Sequence, residues 1–266
     1  MPDQTRPFYV VGHNPDTIAD VHVALDAGAN AIEPDVNMYR HLPEEFCISE
    51  AGLLDPDGGG SPSAPSLERF LVDLHDIAVQ RPELALVIFD CKPRVATAEH
   101  GVRLLNAIRT LLTFDIGLNV IVSVANLSGT PMFQTMGSML GPREGGMIDE
   151  ENDPVAVCEA LQAAGVPNPC FGNGISALNS ILGPHVKPSM EQACQFRAAT
   201  GRLRFIYVWT VDDESLQRDY LRIGVDGIIT NHPANLRVIA RENEFQSVVR
   251  LATRADSPFL SRTSST

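Results

Sequence analysis

Basic side chains are in the minority in this chain: 20 Lys and Arg stand against 33 Asp and Glu, a net charge of −13 at neutral pH. A field of that sign repels polyphosphate, and no local run of Lys and Arg offsets it, which excludes nucleic acid as a partner. Cysteine is sparse, with five widely spaced residues (Cys47, Cys91, Cys158, Cys170 and Cys194), no Cys-x-x-Cys pair and no Cys/His zinc spacing. A disulfide scaffold and a structural zinc site are excluded, and reduced, buried thiols are expected. Long apolar runs are missing. Stretches such as Leu84–Phe89 fall far short of the roughly 20 residues of a membrane span. The start, Met-Pro-Asp-Gln-Thr-Arg-Pro, has no basic region followed by an apolar one, so the expected location is the cytoplasm, with secretion as the alternative. No Gly-x-Gly-x-x-Gly follows the first apolar run, which removes the usual dinucleotide signature; Phe171-Gly172-Asn173-Gly174 lacks the third glycine.

What is present is a chain of 266 residues, 44% hydrophobic and 20% charged, a balance that excludes disordered and collagen-like chains. Short apolar runs with a polar end recur at 8–13, 31–37, 84–92, 119–125, 145–150, 170–175, 205–212 and 227–231. Continuous runs of this kind read as parallel strands buried on both faces. Between them lie segments of helical periodicity at 17–27, 66–80, 97–112, 132–140, 154–164, 188–199, 214–223 and 233–242. Gly28, Gly165 and Gly224 stand where helices stop, and Asp153-Pro154 has the form of an N-cap followed by proline at the first helical position. Eight strand–helix units predict an α/β fold, a single-domain TIM (β/α)8 barrel over 1–243, with an open doubly wound sheet as the alternative. Residues 38–65 form a long connection whose Asp- and Gly-rich end holds no regular element, and Ser66 at its twelfth position rules out a calcium loop. Residues 244–266 are expected to be a C-terminal tail whose Ser- and Thr-rich end frays. The pattern carries no signal for oligomeric state.

In such a barrel the site lies at the C-terminal ends of the strands. The polar residues there are His13, Asn14, Glu33, Asp35, Asp90, Lys92, Ser123, Asp149, Asn173, Trp209, Asp212 and Asn231. Glu33 and Asp35 are two apart and project to one side, and their repulsion needs an offset. Asp90 adds a third oxygen, and three carboxylates with room for water and phosphate suit Mg²⁺. Lys92 shares the side of Asp90 and can meet phosphate as a point charge. Ion pairs at the barrel rim are the alternative for these four residues. His13 has the intrinsic pKa of a general acid or base, or is a structural histidine bonded to backbone. Trp209, the only tryptophan, is either core or the wall of a substrate pocket.

Taken together, Gly12-His13, the stretch Gly28–Val36, Val87–Lys92, Tyr207–Asp212 and Gly224–Asn231 resemble the sphingomyelinase D/phospholipase D branch of the glycerophosphodiester phosphodiesterase superfamily, as does Ala252–Phe259 near the end of the chain. The motifs run in the family's order. The resemblance implies a TIM barrel holding one Mg²⁺ on Glu33, Asp35 and Asp90, with phosphate contact from Lys92, a pocket tryptophan at Trp209, and His13 as acid/base; Ser123 and Asn231, at the ends of the fourth and eighth strands, are further candidate substrate contacts. It also implies cleavage of a glycerophosphodiester or choline (lyso)phospholipid, by hydrolysis or by intramolecular transfer to a cyclic phosphate. The chain departs from the family pattern after the second strand. The family's second catalytic histidine is missing there, and Phe46–Gly52 offers Glu50 or Ser49 in its place, with His41 eight or nine residues away. Cys47 lacks the near partner of the family's loop disulfide. Three outcomes follow: Glu50 serves as the acid, the barrel binds a phosphorylated ligand without turnover, or the reaction is a related phosphoester or diphosphate lyase step whose leaving group needs no proton.

Overall fold

The computed structural model describes residues 5–50, 58–174 and 186–260. Strands β1 (Arg6–His13), β2 (Ala31–Glu33), β3 (Asp35–Met38), β5 (Leu86–Cys91), β6 (Asn119–Val124), β7 (Glu144–Ile148), β8 (Pro169–Gly174), β9 (Phe205–Trp209) and β10 (Gly227–Thr230) pair in parallel. The short hairpin strand β4 (Phe46–Ile48) runs antiparallel to β3. β1 pairs with β2 on one side and with β10 on the other, and β2 and β3 both pair with β5, so the sheet closes into an eight-staved barrel. The closed (β/α)8 architecture is therefore present, and the open sheet is set aside.

Among the described residues, eight α-helices surround it: α1 (Ile18–Asp26), α2 (Leu67–Gln80), α3 (Gly101–Ile108), α4 (Thr130–Met136), α5 (Pro154–Ala163), α6 (Val186–Thr200), α7 (Glu214–Ile223) and α8 (Pro233–Ile239). Their starts are specified locally. The side chains of Thr17, Ser66, Asp153 and Asp213 accept backbone N–H groups in the first turns of α1, α2, α5 and α7, which would otherwise be orphaned. Two apolar bodies result. One, including Phe70, Leu74, Phe89, Val122, Phe133 and Ile228, lies between strands and helices. The other fills the barrel interior with Tyr9, Val11, Leu86, Ile88, Ile121, Phe205 and Tyr207.

Three local readings change. The single strand expected at 31–37 is two strands broken at Pro34, which has no N–H to give to a ladder. The helix expected at 97–112 starts at Gly101, and its last turn, Arg109–Thr113, widens to π geometry, with the Thr113 hydroxyl donating to Glu144 (2.9 Å). The tail is partly folded. β11 (Val249–Leu251) pairs with β1, and Phe259 is buried at the barrel floor, although residues 261–266 lie outside the described part. Asn30 and Asn119 each donate to a tail carbonyl, of Ala252 (2.9 Å) and Asp256 (3.0 Å). Phe259 fits because Gly145 lacks a side chain: a Cβ there would lie 2.7 Å from the phenyl ring. Cys47, Cys91, Cys158 and Cys170 are buried, and none of the five cysteines forms a disulfide.

Candidate active site

The C-terminal ends of the strands open into a cleft of about 610 Å³ lined by His13, Glu33, Asp90, Lys92, Trp209 and Asn231 among others. Glu33 and Asp35 flank Pro34 and are both buried. With Asp90 they present carboxylate oxygens that all lie within 4.8 Å of one another. Asp35 and Asp90 are in register on β3 and β5, so the adjacency follows from strand pairing. Lys92 Nζ lies 2.9 Å from Asp35 Oδ1 and 2.6 Å from Asp90 Oδ2.

Burial, and then the neighbouring carboxylates, push the Glu33 carboxyl well above its ordinary range. Burial likewise raises Asp35, against the pull of Lys92. Burial opposes the charge on Lys92, but Asp90, Asp35 and Glu33 outweigh it and keep the ammonium protonated. One lysine is too little positive charge for three clustered carboxylates, and Asp35 Oδ2 is buried with no hydrogen-bond partner. An all-oxygen donor set with an unpartnered buried oxygen fits a hard divalent cation.

His13 ends β1. Its Nδ1 is 2.9 Å from Asn231 Oδ1. Asn231 Nδ2 donates to Asp212 Oδ2 (2.7 Å), and the Asn231 backbone N–H and the Thr230 hydroxyl donate to Asp212 Oδ1 (2.8 Å each). Burial works against the Asp212 charge, yet donation from Asn231 and Thr230 holds its carboxyl below the usual range. Since the Asn231 amide nitrogen is committed to Asp212, its oxygen faces His13. That assigns the imidazole proton to Nδ1 and leaves Nε2 as the acceptor.

The opposite wall is built on β7 and β9. Tyr207 and Trp209, two apart, share a side of β9. The Tyr207 hydroxyl donates to Asp149 Oδ2 (2.5 Å), and Trp209 Nε1 donates to the Asp149 carbonyl (2.9 Å). The two glycines of β8 make this possible. A Cβ on Gly172 would lie 2.4 Å from the Tyr207 ring, and one on Gly174 would lie 1.9 Å from the Trp209 carbonyl. The Gly-Asn-Gly stretch is thus clearance for these aromatics. Trp209 lines the cleft and packs its other side against the barrel-interior core.

The other expected residues fall as follows. Glu50 is exposed and lines the cleft. Ser49 is tied into its own loop by a bond from its hydroxyl to the Glu50 carbonyl (3.2 Å), and the His41 ring stacks edge-on against Tyr39, 5.3 Å between centroids; neither lines the cleft. Ser123 is wholly buried on β6, its hydroxyl toward Asp149, and does not line the cleft. Sequence reasoning gave no role to Asp16, Asp149, Tyr207 or Asp212. For Tyr207 the signal was its spacing from Trp209; for Asp212, its place in the same motif. The 38–65 connection is not wholly irregular, since β4 folds back on β3 within it; residues 51–57 lie outside the described part.

The closed barrel is one that solved phosphodiesterases share. The chain superposes on a glycerophosphoryl diester phosphodiesterase described as such for Silicibacter pomeroyi (TM-score 0.62, 15% identity, 94% of this chain and 96% of that one). It also superposes on a phosphodiesterase of Oleispira antarctica solved with sn-glycerol-3-phosphate (TM-score 0.62, 15% identity, 87% and 96%). Those likenesses establish the fold. The family follows from sequence: the model of the dermonecrotic toxin SPH family matches residues 78–259, and the chain belongs to that family, the sphingomyelinase D-like branch its motifs resemble. Relatives include a dermonecrotic toxin SPH of Ixodes scapularis, 26% identical over 97% of this chain and 77% of the relative. Another is a dermonecrotic toxin of Loxosceles boneti, 26% identical over 96% and 97%. The expected cytoplasmic location finds no support in relatives named as toxins. No helix among the described residues is long and apolar enough to cross a membrane.

Proposed function

We propose that this phosphodiester hydrolase or lyase cleaves the headgroup ester of a choline (lyso)phospholipid or a glycerophosphodiester, with Mg²⁺ held by Glu33, Asp35 and Asp90. The observation that carries the reading is the cluster of three carboxylates with its unpartnered Asp35 oxygen, opening into the cleft beside His13. When bound there, Mg²⁺ supplies charge that polarises the phosphoryl oxygens. His13 Nε2 takes the proton of the attacking hydroxyl, either water or the substrate's own neighbouring hydroxyl. Asn231 and Asp212 keep the ring in the tautomer that can accept it. The attacking oxygen forms its bond to phosphorus as the bond to the leaving alcohol breaks. Lys92 balances charge on the phosphoryl group, Glu50, at the cleft edge, relays a proton from water to the leaving alkoxide, and the proton taken by His13 passes back to solvent. Trp209 receives the headgroup, its indole held by Asp149. An internal hydroxyl gives a cyclic phosphate, and water gives a monoester.

The test is purified protein with Mg²⁺ and either lysophosphatidylcholine or glycerophosphocholine, followed by ³¹P NMR beside an EDTA control. Cyclic or monoester phosphorus signals are expected, absent with EDTA. His13→Ala is expected to lower the rate by about 10²–10⁴-fold. Mg²⁺ binding with no product from either substrate would overturn the enzymatic reading in favour of a barrel that binds phosphorylated ligands.

A further inference from the structure

One carboxylate at the barrel mouth takes no part in the cation cluster or in the histidine relay. Asp16 lies three residues after His13, in the loop that leads to α1. Its two oxygens accept from two distant parts of the chain: Oδ1 from the Asp35 backbone N–H (3.0 Å) and Oδ2 from the Glu50 backbone N–H (2.8 Å). Capping of α1 does not explain it, because Thr17 does that work by accepting from Asp20 N–H (3.2 Å). Asp16 is itself set by a tight turn in which its N–H donates to the Asn14 carbonyl (2.9 Å), with Asn14 in the left-handed region at φ 44°.

One of the two amides, that of Asp35, begins the second half of the broken stave, and the other, that of Glu50, lies two residues past the end of β4. Pro34 interrupts the strand, and its carbonyl accepts from Asp90 N–H (3.1 Å). The Asp35 carbonyl accepts from Ser49 N–H (2.9 Å), so the Asp35 residue is gripped at its nitrogen by Asp16 and at its oxygen by the residue before Glu50. The geometry points to Asp16 as a positioning residue, a single carboxylate that locks the Asp35 main chain to the Glu50 loop, keeping the Asp35 side chain in the cation cluster and Glu50 at the edge of the cleft. This rests on the roles given above to Asp35 and Glu50. Two oxygens are required because two amides must be satisfied at once; an asparagine offers one acceptor and an alanine none.

The test uses the full chain in four forms: wild type, Asp16→Asn, Asp16→Ala and the control Asp20→Ala from the same loop–helix junction. Amide exchange at Asp35 and Glu50 is followed by ¹⁵N NMR, and Mg²⁺ affinity by calorimetry well below the melting temperature. Asp16→Ala is expected to speed exchange at both amides at least tenfold and to weaken Mg²⁺ binding about tenfold. Asp16→Asn should release only one of the two amides, and Asp20→Ala neither. A purely structural residue would lower the melting temperature and leave Mg²⁺ affinity alone. The positioning role is overturned if both amides exchange in Asp16→Ala as in wild type, or if Mg²⁺ affinity is unchanged while wild type binds the ion. A wild type that takes up no Mg²⁺ overturns the cation reading itself, and the role of Asp16 toward Asp35 with it.

Discussion

Lys92 is the counter-charge that allows the acidic mouth to fold without a cation. It touches both Asp35 and Asp90, is largely buried, and has no basic neighbour among the described cleft-lining residues. Removing one partner of a buried ion pair costs more than the pair contributes, because the other charge is left uncompensated. Lys92→Gln should therefore destabilise the metal-free protein by roughly 3 kcal/mol. A bound divalent cation takes over the same neutralisation, so saturating Mg²⁺ should narrow the gap between variant and wild type, with urea midpoints in EDTA and in Mg²⁺ as the readout. A gap of equal size in both conditions would mean that lysine and cation do not share these carboxylates. The placement of these residues was readable from residue type and strand-end position: His13, Glu33, Asp35, Asp90, Lys92, Trp209 and Asn231 all converge on one mouth. The partners that orient them were not. Asp212 acts through Asn231, and Asp149 through Tyr207 and Trp209, and which strand end faces which is set by the curvature of a closed sheet, not by sequence spacing.

At the scale of elements, the alternation of strand and helix was legible because buried parallel strands and capped helices each leave a one-dimensional pattern. Interruptions leave none. The proline between Glu33 and Asp35 splits a stave, the π turn at Arg109–Thr113 answers to a carboxylate on β7, and β4 owes its existence to an antiparallel partner rather than to its own three residues. The tail is the clearest case. Its strand and its ring leave no one-dimensional pattern, yet β11 pairs with β1 and Phe259 is buried against Gly145 inside the barrel floor. Truncating such a ring loses transfer free energy and leaves a cavity, so Phe259→Ala should cost about 3 kcal/mol. The β8 glycines make the opposite prediction, since Gly174→Ala adds a methyl where there is no room. It should shift β9 at Trp209 and quench or displace the emission of the only tryptophan, while Gly165→Ala, remote from the cleft, should not. Unchanged Trp209 fluorescence in Gly174→Ala would show that the wall has slack the distances do not suggest.

For the molecule as a whole, the carboxylates fall into two groups with opposite effects on stability. Glu33 and Asp35 have their pKa values raised by burial, so the folded metal-free chain binds more protons than the unfolded one and loses stability as pH rises through that window. The tail carries the reverse sign. Donation from Arg250 (2.8 and 2.5 Å) outweighs the opposing effect of burial, and with the Thr253 N–H (2.8 Å) it holds the Asp256 carboxyl down at about 2. A depressed carboxyl stabilises the fold above its unfolded pKa of about 3.9, and that contribution disappears as pH falls towards the folded value. Asp256→Asn should therefore lower the urea midpoint at pH 7, and its deficit relative to wild type should shrink steadily between about pH 4 and about pH 2. Because Arg250 is partly exposed, the effect should also weaken in high salt. A deficit that persists undiminished to the acid end would place the contribution of Asp256 in the uncharged hydrogen bonds of the Thr253 turn rather than in its pairing with Arg250.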